Sequence, residues 1–224
     1  MKEYRTAAFT AVWRKMGKVD DLSIKQVPFF QKIVGYILGF LDKASVDTIS
    51  KRTLAIDSLI KKTNPKVIVE IGCGYSSRAE RFSKIKIYEL DLEHIAKRNK
   101  NSVFDIRKDS LDLNLKNALF IVEGVTMYFH KDEVIKLLKE IKKYNGILAI
   151  DFFNKENSRI EKTLNEKIYK FIFKKAVGKT HLFDFRIENV EDGKNILKDA
   201  GFKNIKYIDN KLKRTLDCLF YSEF

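Results

Sequence analysis

Apolar positions follow two rhythms along this chain, and the switches between them outline its architecture. Val67-Ile68-Val69-Glu70-Ile71 is a short apolar run rich in β-branched residues, and Ala118-Leu119-Phe120-Ile121-Val122 is a second. Both predict strands covered on both faces. Ile85-Lys86-Ile87-Tyr88-Glu89-Leu90-Asp91 alternates before ending in acids, which predicts another strand, and Val103-Phe104-Asp105-Ile106 predicts a third, short one. Residues 132–141 place Val134, Leu137, Leu138 and Ile141 three and four apart, the spacing of a helix; Gly146 and Ile147-Leu148-Ala149-Ile150-Asp151 then restart a strand. Strand, helix, strand, helix is the order of an α/β fold with a doubly wound sheet. In the last third, residues 158–175 predict one or two helices and residues 190–199 another, stopped by Gly201. Residues 202–208 and 216–220 predict a closing antiparallel pair.

Residues 27–41 are the most apolar stretch, but Lys32 interrupts them and they fall short of the roughly 20 residues that a membrane span needs. They predict a helix packed over a ligand site as part of a lid, with an interfacial membrane helix as the alternative. The chain reads as one domain over residues 1–224, a helical cap over 1–62 and an α/β core over 63–224. No repeat, low-complexity stretch or linker divides it.

The chemistry concentrates where the strands end. Gly72 and Gly74 let the backbone turn sharply and approach a ligand where a Cβ would collide. A dinucleotide fingerprint would place a third glycine where Ser77 stands, and a P-loop would need a Lys followed by Ser or Thr, which Tyr75-Ser76-Ser77-Arg78 does not supply. Glu70 just before the turn disfavours a pyrophosphate and suits a ligand with positive charge, such as the sulfonium and ammonium of S-adenosylmethionine. Asp91, or Glu89 on the same face, ends the second strand where a ribose hydroxyl pair would be gripped, unless both only cap the following helix. Asp109 follows the third strand where an adenine amino group would lie. Glu123 and Gly124 end the fourth.

Together, Arg52-Thr53 with Asp57, Val69-Glu70-Ile71-Gly72-Cys73-Gly74 with Ser77-Arg78, Tyr88-Glu89-Leu90-Asp91 and Glu123-Gly124-Val125-Thr126-Met127-Tyr128-Phe129 resemble the leucine carboxyl methyltransferase family, which includes O-methyltransferases of the tetracenomycin type. The resemblance runs from Thr6-Ala7-Ala8 and Arg14 to about Asp151 and fades beyond. It implies a class I methyltransferase, Rossmann-like fold: a mostly parallel sheet with an antiparallel last strand and an N-terminal helical lid. It also implies that Arg52 holds the methionine carboxylate of S-adenosylmethionine, that Gly72 and Gly74 pack against its methionine part and ribose, that Asp91 takes the ribose hydroxyls, and that Glu123 lies near its amino group. Family members are commonly longer, with an insertion that shapes the acceptor pocket, and this chain has 224 residues.

Composition narrows the partners. The formal charge of +14 fits electrostatic attraction to nucleic acid as well as steering of an acidic small molecule. The lysines are spread along the chain without interleaved aromatics, and Glu123-Gly124-Val125-Thr126 stands where a base-modifying enzyme would carry an Asn or Asp, two prolines and an aromatic ring. The expected function is therefore S-adenosylmethionine-dependent O-methylation of a small-molecule carboxylate or hydroxyl. Nucleic-acid methylation, or a binding protein that keeps the fold without activity, are the alternatives. Cys73 and Cys218 give neither a disulfide framework nor zinc spacing, and no signal-peptide pattern opens the chain, so a cytoplasmic protein without a metal is expected. A carboxylate acceptor needs no general base. A phenol or alcohol would, and His181 and Tyr128 are then the groups to test, His94 and His130 being expected on the surface. Arg5 and Arg186 are candidates for orienting an acidic acceptor.

Overall fold

The computed structural model describes residues 3–20, 22–99, 102–154, 164–177, 185–208 and 217–224. Among the described residues three α-helices precede the sheet, α1 (Glu3–Met16), α2 (Phe29–Leu41) and α3 (Lys43–Thr63), with a 3-10 turn over Ser23–Gln26 between the first two. Asp42 caps α3 by accepting a hydrogen bond from Ser45 N at 3.1 Å, and Asn64 ends it in the left-handed conformation. The core then runs β1 (Val67–Ile71), α4 (Arg78–Arg81), β2 (Lys86–Asp91), α5 (Glu93–Asn99), β3 (Ser102–Val103), β4 (Ala118–Val122), α6 (Lys131–Lys142) and β5 (Gly146–Phe153). It closes with α7 (Leu164–Val177), α8 (Val190–Asp199), β6 (Lys206–Ile208) and β7 (Asp217–Glu223).

The strand order is β3-β2-β1-β4-β5-β7-β6. β1 pairs in parallel with both β2 and β4, so the winding reverses between β1 and β4, and β7 runs antiparallel to β5 and β6. Ligands of such sheets collect at that reversal, beyond the carboxyl ends of the strands.

Period-two alternation divides the sheet into two faces. Val69, Ile71, Phe120, Val122, Leu148 and Ile150 pack with Val134, Leu137, Leu138 and Ile141 of α6. Ile68, Leu119, Ile121 and Ala149 face the other way, onto Ile56, Leu59 and Ile60 of α3. A third cluster, around Phe9, Val12, Trp13 and Leu38, joins α1 to α2.

Two expected elements differ. The strand predicted over residues 103–106 ends at Val103, because the edge has only β2 to pair with, at Leu90 and Asp91. Phe104 and Ile106 turn inward to the core instead. The last pair is shorter at its start, with β6 beginning at Lys206, and part of the predicted 158–175 helix lies outside the described residues.

Candidate functional site

A cavity of about 130 Å³ opens at the carboxyl ends of β1, β2 and β4. Ile71 to Tyr75 form its floor, Asp91 and Leu92 one side, and Glu123 to Val125 the other. Thr6, Ala7, Thr10 and Arg14 of α1 close it from above. The lid is therefore α1. Helix α2, expected over the site, packs on the outer side of α1 and contributes no residue to the lining.

Gly72 and Gly74 shape the floor, with φ of +70° and +57°. A Cβ on Gly72 would stand 2.3 Å from Val125 Cγ2, so the turn after β1 and the turn after β4 touch there and admit no side chain. Asp91 fixes the rim: its Oδ2 accepts from Gly74 N at 2.6 Å and its Oδ1 from Leu92 N at 2.7 Å. Burial pushes its carboxyl above the usual range, against the pull of those amides. Each oxygen keeps acceptor capacity beyond its one amide.

Behind the floor lies a buried ion network. On the α3 face of the sheet, Ile68 is followed two residues later by Glu70, Ile121 by Glu123, and Ala149 by Asp151, so alternation delivers three acids to one place. Arg78 meets two of them and a third from α3. Its Nη1 donates to Glu70, its Nη2 to Glu123 Oε2 at 2.6 Å and its Nε to Asp57 Oδ1 at 3.0 Å. Arg52 donates from Nε to Glu123 Oε1 at 3.1 Å and from Nη1 to Asp151 Oδ2 at 2.8 Å. Thr53 Oγ1 adds a bond to Glu123 at 2.9 Å, and Asp151 Oδ1 accepts from Gly124 N at 2.6 Å. Burial alone would neutralise these groups, but their opposite charges outweigh it. Glu123 is held well below the ordinary carboxylate range by Arg78, Arg14 and Arg52, and Arg78 well above its ordinary value by Glu123, Glu70 and Asp57.

Of the seven residues predicted from sequence, Arg52, Gly72, Gly74, Asp91 and Glu123 converge on the cavity. Glu70 and Asp109 do not. Glu70 is buried against Arg78, which cancels the charge that the sequence suggested would face a ligand. Asp109 is exposed, and its carboxylate accepts from Asp105 N at 2.7 Å, closing the turn that follows β3. Arg5 and Arg186 are also away from the lining; Arg5 donates to Ala176 O and Arg186 stacks 5.6 Å from the Phe153 ring. His181 lies outside the described residues.

Sequence reasoning missed Arg14, His94 and Arg107 as lining residues. His94 is exposed as expected, yet it sits at the cavity rim. Arg14 is 6% exposed, its Nη2 lies 3.8 Å from Glu123 Oε1, and its Nε is buried with no hydrogen-bond partner among the described residues. Its pairing with the cavity needed the docking of α1, which no local pattern encodes. Asp20 anchors the cap from the other side: its Oδ1 accepts from Ser77 Oγ at 2.6 Å, and this bond with that from Ser23 N overcomes burial to keep its carboxyl below the usual range.

Among solved structures, the chain is similar to a provisionally named methyltransferase from Thermobifida fusca, at 10% identity over 97% of this chain and 93% of that one, with a TM-score of 0.61. Human N-acetylserotonin methyltransferase in complex with S-adenosylmethionine matches at 14% identity over 99% and 67%, with a TM-score of 0.52. A provisionally named O-methyltransferase from Nostoc punctiforme matches at 11% identity over 84% of this chain, with a TM-score of 0.53, and the chain spans only 60% of its length. No family model and no curated protein matches the sequence. At these identities the likeness is one of fold, and the chain has the class I methyltransferase, Rossmann-like fold: a mostly parallel seven-stranded sheet whose penultimate position holds an antiparallel strand.

Proposed function

We propose that the protein is an S-adenosylmethionine-dependent O-methyltransferase for a small-molecule acceptor bearing a carboxylate or a hydroxyl, related to the leucine carboxyl methyltransferases. The observation that carries this reading is the convergence of the glycine turn, the oriented Asp91 and the guanidinium of Arg14 on one cavity at the sheet's reversal point. The residues fit the cofactor. Asp91, held by two backbone amides, accepts the ribose hydroxyls. Phe104, Ile106 and Ile95 give an apolar wall for the adenine. The buried Nε of Arg14, beside Arg52, suits a carboxylate that would satisfy it. Glu123, near which the resemblance sets the ammonium, is ringed by Arg14, Arg52 and Arg78 and serves to hold those guanidiniums at the cavity.

When bound, the sulfonium supplies an electrophilic methyl group. The chain's own contribution is to hold the acceptor oxygen in line and keep water away, which α1 does by covering the cavity. A carboxylate oxygen arrives ionised. For a phenol, the imidazole of His94 can take its proton, and Tyr128, whose hydroxyl is 2.5 Å from Thr6 Oγ1, can do so only as the phenolate.

Calorimetric titration with S-adenosylhomocysteine and with 5′-methylthioadenosine, which lacks the amino-acid group, tests the placement. Wild-type protein is expected to bind both. Arg14→Met should weaken S-adenosylhomocysteine by about tenfold to a hundredfold through the lost charged hydrogen bond and leave methylthioadenosine unchanged. No heat with S-adenosylhomocysteine at high micromolar concentration would return the protein to the inactive, binding-only class. Transfer of a labelled methyl group to carboxylic acids, phenols and bulk tRNA then separates small-molecule from nucleic-acid acceptors.

A further inference from the structure

Helix α2 is apolar on every side, yet only one side is covered. Its sequence, Phe-Phe-Gln-Lys-Ile-Val-Gly-Tyr-Ile-Leu-Gly-Phe-Leu, holds a single charge, Lys32. Its Gly35, Leu38 and Gly39 are buried, so close to α1 that a Cβ on Gly35 would stand 2.9 Å from Val12 Cγ2. On the opposite side Phe29, Phe30, Ile33, Ile37 and Phe40 are exposed, the three phenylalanines to 78%, 73% and 67%. At 3.6 residues per turn these five fall within an arc of about 100°. A helix apolar all round belongs in an interior, and a contiguous exposed stripe of this kind marks an interaction surface. Helix α7, packed alongside, adds exposed Ile168 and Phe171, with Lys175 Nζ 4.7 Å from the Phe171 ring centroid.

The charges around the stripe decide what covers it. Lys25 precedes α2, Lys32 lies on it, Lys43 follows it, and Lys174 and Lys175 end α7. From Leu22 to Val46 Asp42 is the sole acid, and its carboxylate is committed to Ser45 N at 3.1 Å and Ser45 Oγ at 2.6 Å. A second copy of the chain would bring like rims together, each chain carrying a formal +14. An anionic bilayer presents the opposite charge and an acyl boundary that accepts Phe and Ile. No described helix is long and apolar enough to cross a membrane, so α2, with 13 residues, can meet a bilayer only by lying in its plane. We propose that α2 docks the protein onto anionic lipid surfaces, with the Phe29, Phe30, Ile33, Ile37 and Phe40 stripe in the acyl boundary and the lysines at the headgroups.

Co-sedimentation of the full chain with phosphatidylcholine vesicles, with and without about one third phosphatidylglycerol, at about 0.15 M salt tests this. Partition onto the anionic vesicles should be at least about tenfold stronger than onto neutral ones. The Phe30→Ser, Phe40→Ser double variant should lose about tenfold or more of that partition with an unchanged thermal midpoint, since both rings are exposed. Absence of binding to anionic vesicles, equal binding to neutral ones, or full binding by a folded double variant would overturn the proposal. A concentration-dependent dimer in sedimentation equilibrium, abolished by the same double variant, would overturn it too and give the face to a second copy.

Discussion

Asp91 and Glu123 both stand at the end of a parallel strand of one sheet, and both line the same cavity, yet their surroundings are opposite. Asp91 has two backbone amides as its close partners. Glu123 is wrapped by the Arg52 and Arg78 guanidiniums and the Thr53 hydroxyl, with Arg14 near by. The difference lies in what covers each strand end. β4 is flanked by β1 and β5 under α3, whose Arg52 reaches over it, whereas β2 has only the two-residue β3 on its outer side. A carboxylate ringed by cations is spent on holding the fold, with little acceptor capacity left over, while one oriented by amides keeps lone pairs for a ligand. The two acids should therefore respond to mutation in crossed ways.

Removing Arg78 tests the structural arm and should have the largest effect. The guanidinium is fully buried, and Arg78→Met would leave Glu70 without its counter-ion and take one cation from Asp57, which keeps Arg81, and one from Glu123, which keeps Arg52. Breaking buried pairs from one side costs about 3–5 kcal/mol, to be read from urea unfolding monitored by circular dichroism. A loss below about 1 kcal/mol would mean that the network is dispensable and that the contrast with Asp91 is only one of geometry.

Removing Asp91 tests the binding arm. Asp91→Ala should weaken S-adenosylhomocysteine by about 1–3 kcal/mol, through lost hydroxyl acceptors and a loosened Gly74 turn. Its cost in stability should be smaller than that of Arg78→Met, because Asp91 lines the cavity whereas the Arg78 network is buried behind it. Calorimetry and urea unfolding on both variants complete the cross. Wild-type affinity in Asp91→Ala would remove it from the ribose site.

Much of this contrast is visible in the sequence. Glu70, Glu123 and Asp151 each stand two residues beyond a core residue of their strand, so alternation alone puts them on one face. Gly72, Gly74 and Asp91 carry the turn and the rim in recognisable positions. What the sequence does not carry is the partner of each acid. Arg78 sits eight residues after Glu70, and its reach to Asp57 and Glu123 depends on how α3 and α4 dock. Glu70 therefore read as a ligand-facing charge until its counter-ion was in place. Asp109 read as an adenine contact because it follows the third predicted strand; that strand is only two residues long at the sheet edge, and Asp109 closes the turn after it. Helix α2 read as a lid because an apolar stretch signals burial and not which side is buried; its covered side faces α1, and α1 covers the cavity.

Glu89 gives the finest test, because it shares the face of Asp91 without amides or guanidinium to hold it. It stands in register with Glu70 across β1 and β2, and burial, with the charges of Glu70 and Glu80, pushes its carboxyl up to about 7. In the unfolded chain the same group titrates near 4.5. The native state therefore binds this proton more tightly. Its contribution to stability is full below the unfolded value and is lost as the pH rises through about 7. Glu89→Gln keeps the neutral shape at every pH, so it should be more stable than the wild type at pH 8. The gain is about 1 kcal/mol once solvent screening of this partly exposed group is allowed for. The two proteins should unfold at nearly the same urea concentration near pH 4.5. An equal gap at both pH values would assign the effect to packing, and it would show that Arg78 leaves no residual field from Glu70 across the β1–β2 pair.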